Sequence, residues 1–558
     1  MVLFVLRISS LVLLVAASAA ARSVTLSVGP APDRNVRRWW DVSPRPANDG
    51  MELIKANSHV AKSLPRPWTS RCEKTALLTS TIAVVRLLGG WKDDEGSEKK
   101  DLAQGACDGL TNASLLYERL DAVVDACPTP IVVLDNVPWC FSNTTKKSFY
   151  GNGDAPRDMK SYSEFLDEIF EAILARYGDE AKRWYYRVGT EPNYGGHWTA
   201  GFDAASGERW RDPPTISQLR FDAYAEVYDA VVAGVREKLG GGARVGPGNM
   251  PNGMNATFAK LVVEHTAATD GQVMALSYYA SGANGYSTES AHRAMAWLKN
   301  ERDAAFGNLS TPPALHAAEF GTLQPPRSSE ASPEPGAFGA AFTSSAWIVG
   351  LMLSYDKLYH WTAWDDVDDD TLLYGWTVGM AFAELLFEDG AADARPATIL
   401  DSSMPMELKD AKASRNATSV AGVATTTSAG LSVLVTAYDP TVYVGDEAID
   451  ATLVVPAIGA VSSYYCLHSG NSVYDKIWAD LNATGGLART DGHTYKLKHM
   501  ANDQGMEMIK ANVSSYVALQ DESLKTNPFP GTVSRLNGTH ATLTWKVRVP
   551  SVTLVQIS

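Results

Sequence analysis

Between residues 75 and 390 of this 558-residue chain, short β-rich runs alternate with helix-period segments, and that alternation admits few folds. The strand-like runs are 82–88, 130–136, 184–190, 243–247, 273–279, 314–320 and 357–364. An earlier strand, near 39–42 or just after Leu64, would make eight. Among the intervening segments, 161–177 is the clearest. There Phe165, Leu166, Ile169, Phe170, Ile173, Leu174 and Tyr177 fall on one stripe, and Ser161 with Glu164 predicts a capping box. Segments 215–239, 291–302 and 342–354 have the same period. Repeated strand–helix units imply parallel strands with crossover helices, and eight of them close into a (β/α)8 barrel. The expected barrel spans 75–392, with 22–74 as a lead-in. An open doubly wound sheet competes, but no glycine fingerprint follows the first strands.

After residue 395 the texture changes. Runs at 419–437, 451–455, 542–549 and 552–557 are β-branched and alternating, and turn residues separate them. An antiparallel β-sandwich over 393–558 is expected, with no long helix except one near 504–511. Residues 23–30 are also strand-like and are expected to pair with that sandwich.

Residues 1–21 read as a secretory signal: Arg7 is the only charge, 11–17 is apolar, and small residues follow at 17–21. Eight Asn-x-Ser/Thr sequons follow, at Asn112, Asn143, Asn255, Asn308, Asn416, Asn482, Asn512 and Asn537. Together they predict a glycoprotein that is secreted or sent to a vacuole or lysosome. No later run is long enough for an integral membrane span. Five cysteines, at 72, 107, 127, 140 and 466, allow one or two disulfides with a thiol left over. No zinc-type spacing is present, and neither a metal nor an organic cofactor is expected. The formal charge of −14 repels a phosphate backbone, which argues against nucleic acid as a partner.

Reacting groups in such a barrel stand at the C-terminal ends of strands. Two strand-like runs end there in glutamate: Glu191, within Gly189-Thr190-Glu191-Pro192-Asn193, and Glu319, within Ala317-Ala318-Glu319-Phe320. They close the fourth and seventh strands, across the barrel mouth from one another. Two facing carboxylates are the minimal equipment for cleaving a glycosidic bond, with an oligosaccharide, polysaccharide or other glycoside as substrate. Asp135 ends the third strand, where it could hold a sugar hydroxyl or pair with a basic group. Arg86 could bind substrate or form a buried ion pair. His316 and His360 read as core histidines. Residues 365–370 form an acidic run without helix-loop-helix calcium spacing.

Residues 162–198 resemble the acid/base region of glycoside hydrolase family 39, the β-xylosidase and α-L-iduronidase family. The resemblance rests on Arg176-Tyr177-Gly178, Trp184, Glu191-Pro192-Asn193 and His197-Trp198. Segments 120–138 and 86–94 resemble the neighbouring strand ends. The resemblance implies retention through a covalent glycosyl-enzyme, with Glu191 as acid/base and Glu319 as nucleophile. It implies a sandwich beside the barrel, and substrate contacts from Asn193, Tyr279 and either Trp361 or Trp364. Thr190 stands where the wider clan has an asparagine that binds the sugar 2-hydroxyl. A threonine offers one donor instead of two. That departure leaves a carbohydrate-binding pseudoenzyme as the alternative, with a structural extracellular glycoprotein as a further one.

Overall fold

A computed structural model describes residues 23–28, 34–36, 40–43, 84–90, 101–124, 130–142, 151–194, 197–200, 214–251, 254–280, 287–307, 309, 311–322, 334–361, 364–367, 370–387, 395–401, 419–427, 430–440, 448–456, 460–488, 497–535 and 540–558. The expected signal, Cys72, Cys127 and most of the lead-in lie outside them.

The lead-in strands are β1 (Ser23–Ser27), β2 (Arg34–Val36) and β3 (Trp40–Ser43). Strands β4 (Val84–Arg86), β5 (Ile131–Leu134), β6 (Tyr185–Val188) and β7 (Arg244–Pro247) form one parallel arc. A second parallel arc runs β3, β11 (Lys357–Trp361), β10 (Ala314–Thr322), β9 (Val273–Ala280) and β8 (Met250–Pro251). The early strand is thus Trp40–Ser43, paired with β11. The chain passes from one arc to the other between β7 and β8. No hydrogen-bonded register joins β3 to β4 among the described residues.

The pattern within β5 shows why these strands read as continuous apolar runs. Ile131 and Val133 pack with Tyr359 of β11, and Val132 and Leu134 face the helical layer. Both faces of a parallel sheet are covered, so both must be apolar. Helix Met159–Tyr177 buries Tyr162, Phe165, Leu166, Ile169, Phe170 and Ile173 on its predicted stripe, at about 1.5–3 kcal/mol for each fully buried large side chain. Its cap differs from the expected box. Asp158 accepts from the Lys160 N–H, and the Ser161 hydroxyl donates to Asp158. The helix begins at Met159, so Asp158 is its N-cap and Ser161 falls inside the first turn.

A hairpin, β12 (Trp364–Val367) and β13 (Asp370–Leu373), follows the second arc. The remaining strands are β14 (Arg395–Asp401), β15 (Ser419–Thr427), β16 (Gly430–Tyr438), β17 (Ala448–Pro456), β18 (Val461–His468), β19 (Thr532–Arg535), β20 (His540–Arg548) and β21 (Ser551–Ile557). They form a six-stranded sheet, β18-β21-β16-β15-β14-β2, and a four-stranded sheet, β1-β17-β20-β19. Val433, Val435, Leu453, Leu543 and Val555 lie in the apolar cluster between them. β1 runs parallel to β17, so the start of the chain is stitched to its far end.

Helix Ala337–Met352 is buried from Ala337 to Leu351. It lies between β10 and the larger sheet, where the Thr436 hydroxyl donates to the Ala341 carbonyl at 3.0 Å. Between β18 and β19 the structure corrects the sequence expectation. Three helices stand there, Val473–Thr484, Leu497–Met500 and Asp503–Ser523. Their apolar residues, including Tyr474, Ile477, Leu481 and Ile509, pack on Leu372, Tyr374 and Trp376. The helical period there was hidden because polar residues cover most of each helix.

Candidate active site

Arg86 closes β4, Tyr279 and Glu319 stand near the ends of β9 and β10, and Asp135, Thr190, Glu191 and Asn193 follow the ends of β5 and β6. Trp361 closes β11 and Trp364 opens β12, and their side chains lie outside the described residues. Gly189 continues the ladder by donating to the Leu134 carbonyl. Glu191 then turns through φ +48°, a left-handed value unusual for glutamate. The Tyr194 N–H donates to the Glu191 carbonyl and the His197 N–H to the Tyr194 carbonyl, at 2.8 and 3.0 Å. These two tight turns bring His197 back upon the glutamate, with Nε2 at 3.3 Å from Glu191 Oε2. Gly153 packs so closely under this loop that a Cβ there would lie 2.0 Å from the His197 carbonyl oxygen.

Glu319 stands near the end of β10, in register with Ser277 of β9. The Tyr279 hydroxyl donates to its Oε2 at 3.1 Å. Burial pushes the Glu319 carboxyl up to about 7, the Glu191 charge adds to that, and Arg86, Tyr279 and Arg187 oppose it. Burial and the charges of both glutamates hold the Tyr279 phenol well above its ordinary value. Glu191 and Glu319 therefore act on one another and on one tyrosine.

Asp135 is buried and pairs with Arg86, whose Nε donates to Oδ2. The Thr190 hydroxyl donates to the same oxygen at 2.9 Å. Asp135 thereby clamps two neighbouring strand ends, which is the pairing with a basic group that the sequence allowed. Asn193 is also redirected. It is 1% exposed, and its amide donates to the Pro251 and Met254 carbonyls at 3.1 and 2.9 Å. It braces the fourth-strand loop against the fifth, because a buried amide must find acceptors. A small hollow borders the site through Asp135, Thr190 and His197, and neither Glu191 nor Glu319 lines it.

Two residues, Arg187 and Glu334, escaped the sequence reading, and His197 enters it only as part of the resemblance. His197 is placed by the double turn, Arg187 lies buried on β6 among the charges of Glu319 and Asp135, and Glu334 is buried ahead of helix Ala337–Met352. Burial lowers Arg187 to about 10. Arg187 and Glu334 stand in no motif; His197 belongs to the motif set of the resemblance, but its contact with Glu191 is set by the fold. His316 is buried between the rings of Tyr185 and Tyr359, and burial pushes it well below its ordinary value. His360 stacks on Trp376 at 4.0 Å. Asp365 of the acidic run accepts from Tyr474 Oη and the Leu497 N–H. Among the described residues no group of three His, Cys, Asp or Glu could hold a metal.

Cys107 and Cys140 form a disulfide between the loops that follow β4 and β5, and Cys466 is free. Asp101 joins the same loops by accepting from the Gly90 and Trp139 N–H groups, each at 2.7 Å. Of the sequons, Asn255 is buried, and its Oδ1 accepts from Ser217 and the Phe258 N–H. Among the described residues no helix is long and apolar enough to cross a membrane.

Glu334 makes a stability prediction. Burial raises its carboxyl from 4.5 to about 8. The folded state then keeps a proton that the unfolded state releases, so stability present below pH 4.5 declines as pH rises to about 8. The slope for one such group is about 1.4 kcal/mol per pH unit. Urea titrations between pH 5 and 8 should show this decline in the wild type and a flatter profile in Glu334→Gln. Parallel profiles would refute it.

No family model matches the chain. Over 146 residues it is 25% identical to an alpha-1,4-L-rhamnosidase of Formosa agariphila, a match covering 24% of this chain. The chain thus spans 30% of the length of that curated relative. Among solved structures it resembles the GH39 enzyme from Xanthomonas axonopodis pv. citri, with TM-score 0.60 and 14% identity over 97% of this chain and 98% of that one. It also resembles a monomeric beta-xylosidase from Caulobacter crescentus CB15, with TM-score 0.59 and 12% identity over 96% and 99%. A glucosidase from Croceicoccus marinus aligns with TM-score 0.52 and 14% identity over 97% and 99%. The fold is therefore of the glycoside hydrolase type. Within that type it is the fold of family 39 enzymes.

Proposed function

We propose that this chain is a retaining glycoside hydrolase, made in the secretory pathway, whose eight parallel strands close a (β/α)8 barrel. One observation carries the reading. Glu319, at the end of the seventh strand, has Glu191 of the fourth as its strongest neighbouring charge and Tyr279 as its hydrogen-bond donor. Glu191 in its acid form gives a proton to the leaving oxygen while Glu319 attacks the anomeric carbon. The resulting glycosyl ester is hydrolysed by a water that Glu191 then deprotonates. Arg86, Arg187 and Tyr279 favour the ionised nucleophile, and His197 steadies the acid. Retention calls for carboxyl groups ~5–5.5 Å apart.

The relatives suggest the first substrates to try, aryl rhamnosides, xylosides and glucosides. Proton NMR of the first-formed sugar should show the anomer of the substrate. An inverted product would overturn double displacement. The pseudoenzyme reading keeps one observation in its favour: Asp135 already takes the single Thr190 proton. Sugar binding without turnover of any aryl glycoside would establish it.

A further inference from the structure

The three helices between β18 and β19 dock on segments that follow the C-terminal ends of β10 and β11. Hydrogen bonds hold them there. The Ala337 N–H donates to Asp475 Oδ2 at 2.8 Å, and the Leu373 N–H donates to Gln520 Oε1 at 2.6 Å. Tyr474 Oη and the Leu497 N–H both donate to Asp365 Oδ2, at 3.1 and 3.0 Å. A sandwich that merely hung beside the barrel would not need buried polar contacts on this face.

Asp475 sits at the most consequential of these points. It accepts at the start of helix Ala337–Met352, and a Cβ on Gly336 would lie 2.7 Å from its Oδ2. The turn between Glu334 and Ala337 is thereby held from the far domain, and the Gly375 N–H holds it again through the Pro335 carbonyl. Glu334 is 3% exposed, and its Oε2 is buried without a hydrogen-bond partner. Its carboxyl rests against Thr322, three positions beyond Glu319 on the same strand. The charge of Glu334 acts on Tyr279, the donor to Glu319.

We propose that the helical unit is a working part of the catalytic site: Asp475 is a positioning residue that locks the turn carrying Glu334, and Glu334 governs the polarity around Tyr279 and Glu319. Its catalytic half rests on the glycosidase reading, and its structural half does not. Among the described residues, Tyr279 on β9 is the titratable group that feels the charge of Glu334, and Asp475 of the helical unit holds the turn at Ala337, three residues beyond it. Burial keeps Glu334 neutral up to about pH 8, so a loosened turn that admits water should return it toward the ordinary carboxylate range.

The test compares Asp475→Ala with Gln520→Ala, which removes a different hydrogen bond from the same interface. Carbon-13 NMR of glutamate-labelled protein follows the Glu334 carboxyl, assigned by its loss in Glu334→Gln. The midpoint should fall by at least one pH unit in Asp475→Ala and stay within 0.3 unit in Gln520→Ala, about 1.4 and about 0.4 kcal/mol respectively. With the best aryl glycoside, kcat should drop tenfold or more in Asp475→Ala at a KM within twofold, and should hold within twofold in Gln520→Ala. Asp475→Ser replaces the alanine variant if that does not fold. Equal midpoints in the two variants, or an unmoved Glu334 in Asp475→Ala, overturn the proposal. If Glu319→Ala is inactive and rescued by azide while Asp475→Ala behaves as wild type, the glycosidase reading stands and this one falls. If no glycoside is turned over, the NMR midpoints alone decide.

Discussion

Glu319→Ala is expected to lose turnover by on the order of 10⁴-fold or more, because no other group can form the glycosyl ester. Removing the side chain also opens space beside the anomeric carbon. Azide should enter that space and restore part of the rate with an activated aryl glycoside, giving a glycosyl azide of inverted configuration. The rescue separates a missing nucleophile from a damaged fold, since an unfolded site would not respond to azide. Near-wild-type hydrolysis by this variant would remove Glu319 from the mechanism.

Glu191→Gln should show a leaving-group dependence. Alkyl and sugar leaving groups need a proton, so their rates should fall about 10²–10⁴-fold, as for other lost general acids. Dinitrophenyl glycosides need little protonation in the first step and should lose far less in glycosylation. The same substitution should move the pH profile. Glu191 raises the proton affinity of Glu319, which stands at about 7. Replacing its charge with an amide removes that push, so the limb reporting nucleophile ionisation should shift to lower pH. A uniform loss across leaving groups, with an unshifted limb, would count against the assignment. Because two interacting carboxyls titrate as a pair, the wild-type limbs describe the pair and not either residue alone.

Much of the architecture was legible because its signals are local. A parallel strand covered on both faces must be apolar throughout, and Ile131–Leu134 is. An amphipathic helix repeats its apolar residues every three or four positions, and the buried face of Met159–Tyr177 follows the predicted stripe. The signal failed where the apolar face was narrow. Helix Asp503–Ser523 buries Gly505, Ile509, Tyr516, Gln520 and Ser523, and the sequence promised only 504–511 of it. The cap of Met159–Tyr177 was misplaced for a similar reason: Asp158 and Ser161 are both good acceptors, and only the backbone path chooses between them.

The candidate site divides along the same line. The sequence by itself marked the two glutamates at strand ends, Tyr279 near one of them, and the acidic balance of the chain. The glutamates follow from strand periodicity and the acidity from formal charge, which need no knowledge of distant neighbours, whereas Tyr279 was implied by the family resemblance alone. Only the tertiary structure decided that Asp135 clamps Arg86 and Thr190, that Asn193 braces a loop, and that His197 returns to Glu191. It alone brought Asp475 to the turn beside Glu334, 138 positions from its hydrogen-bond partner Ala337. The reason is physical. A buried polar group takes whichever partner the packed chain delivers, and that partner is set by the closure of distant strands.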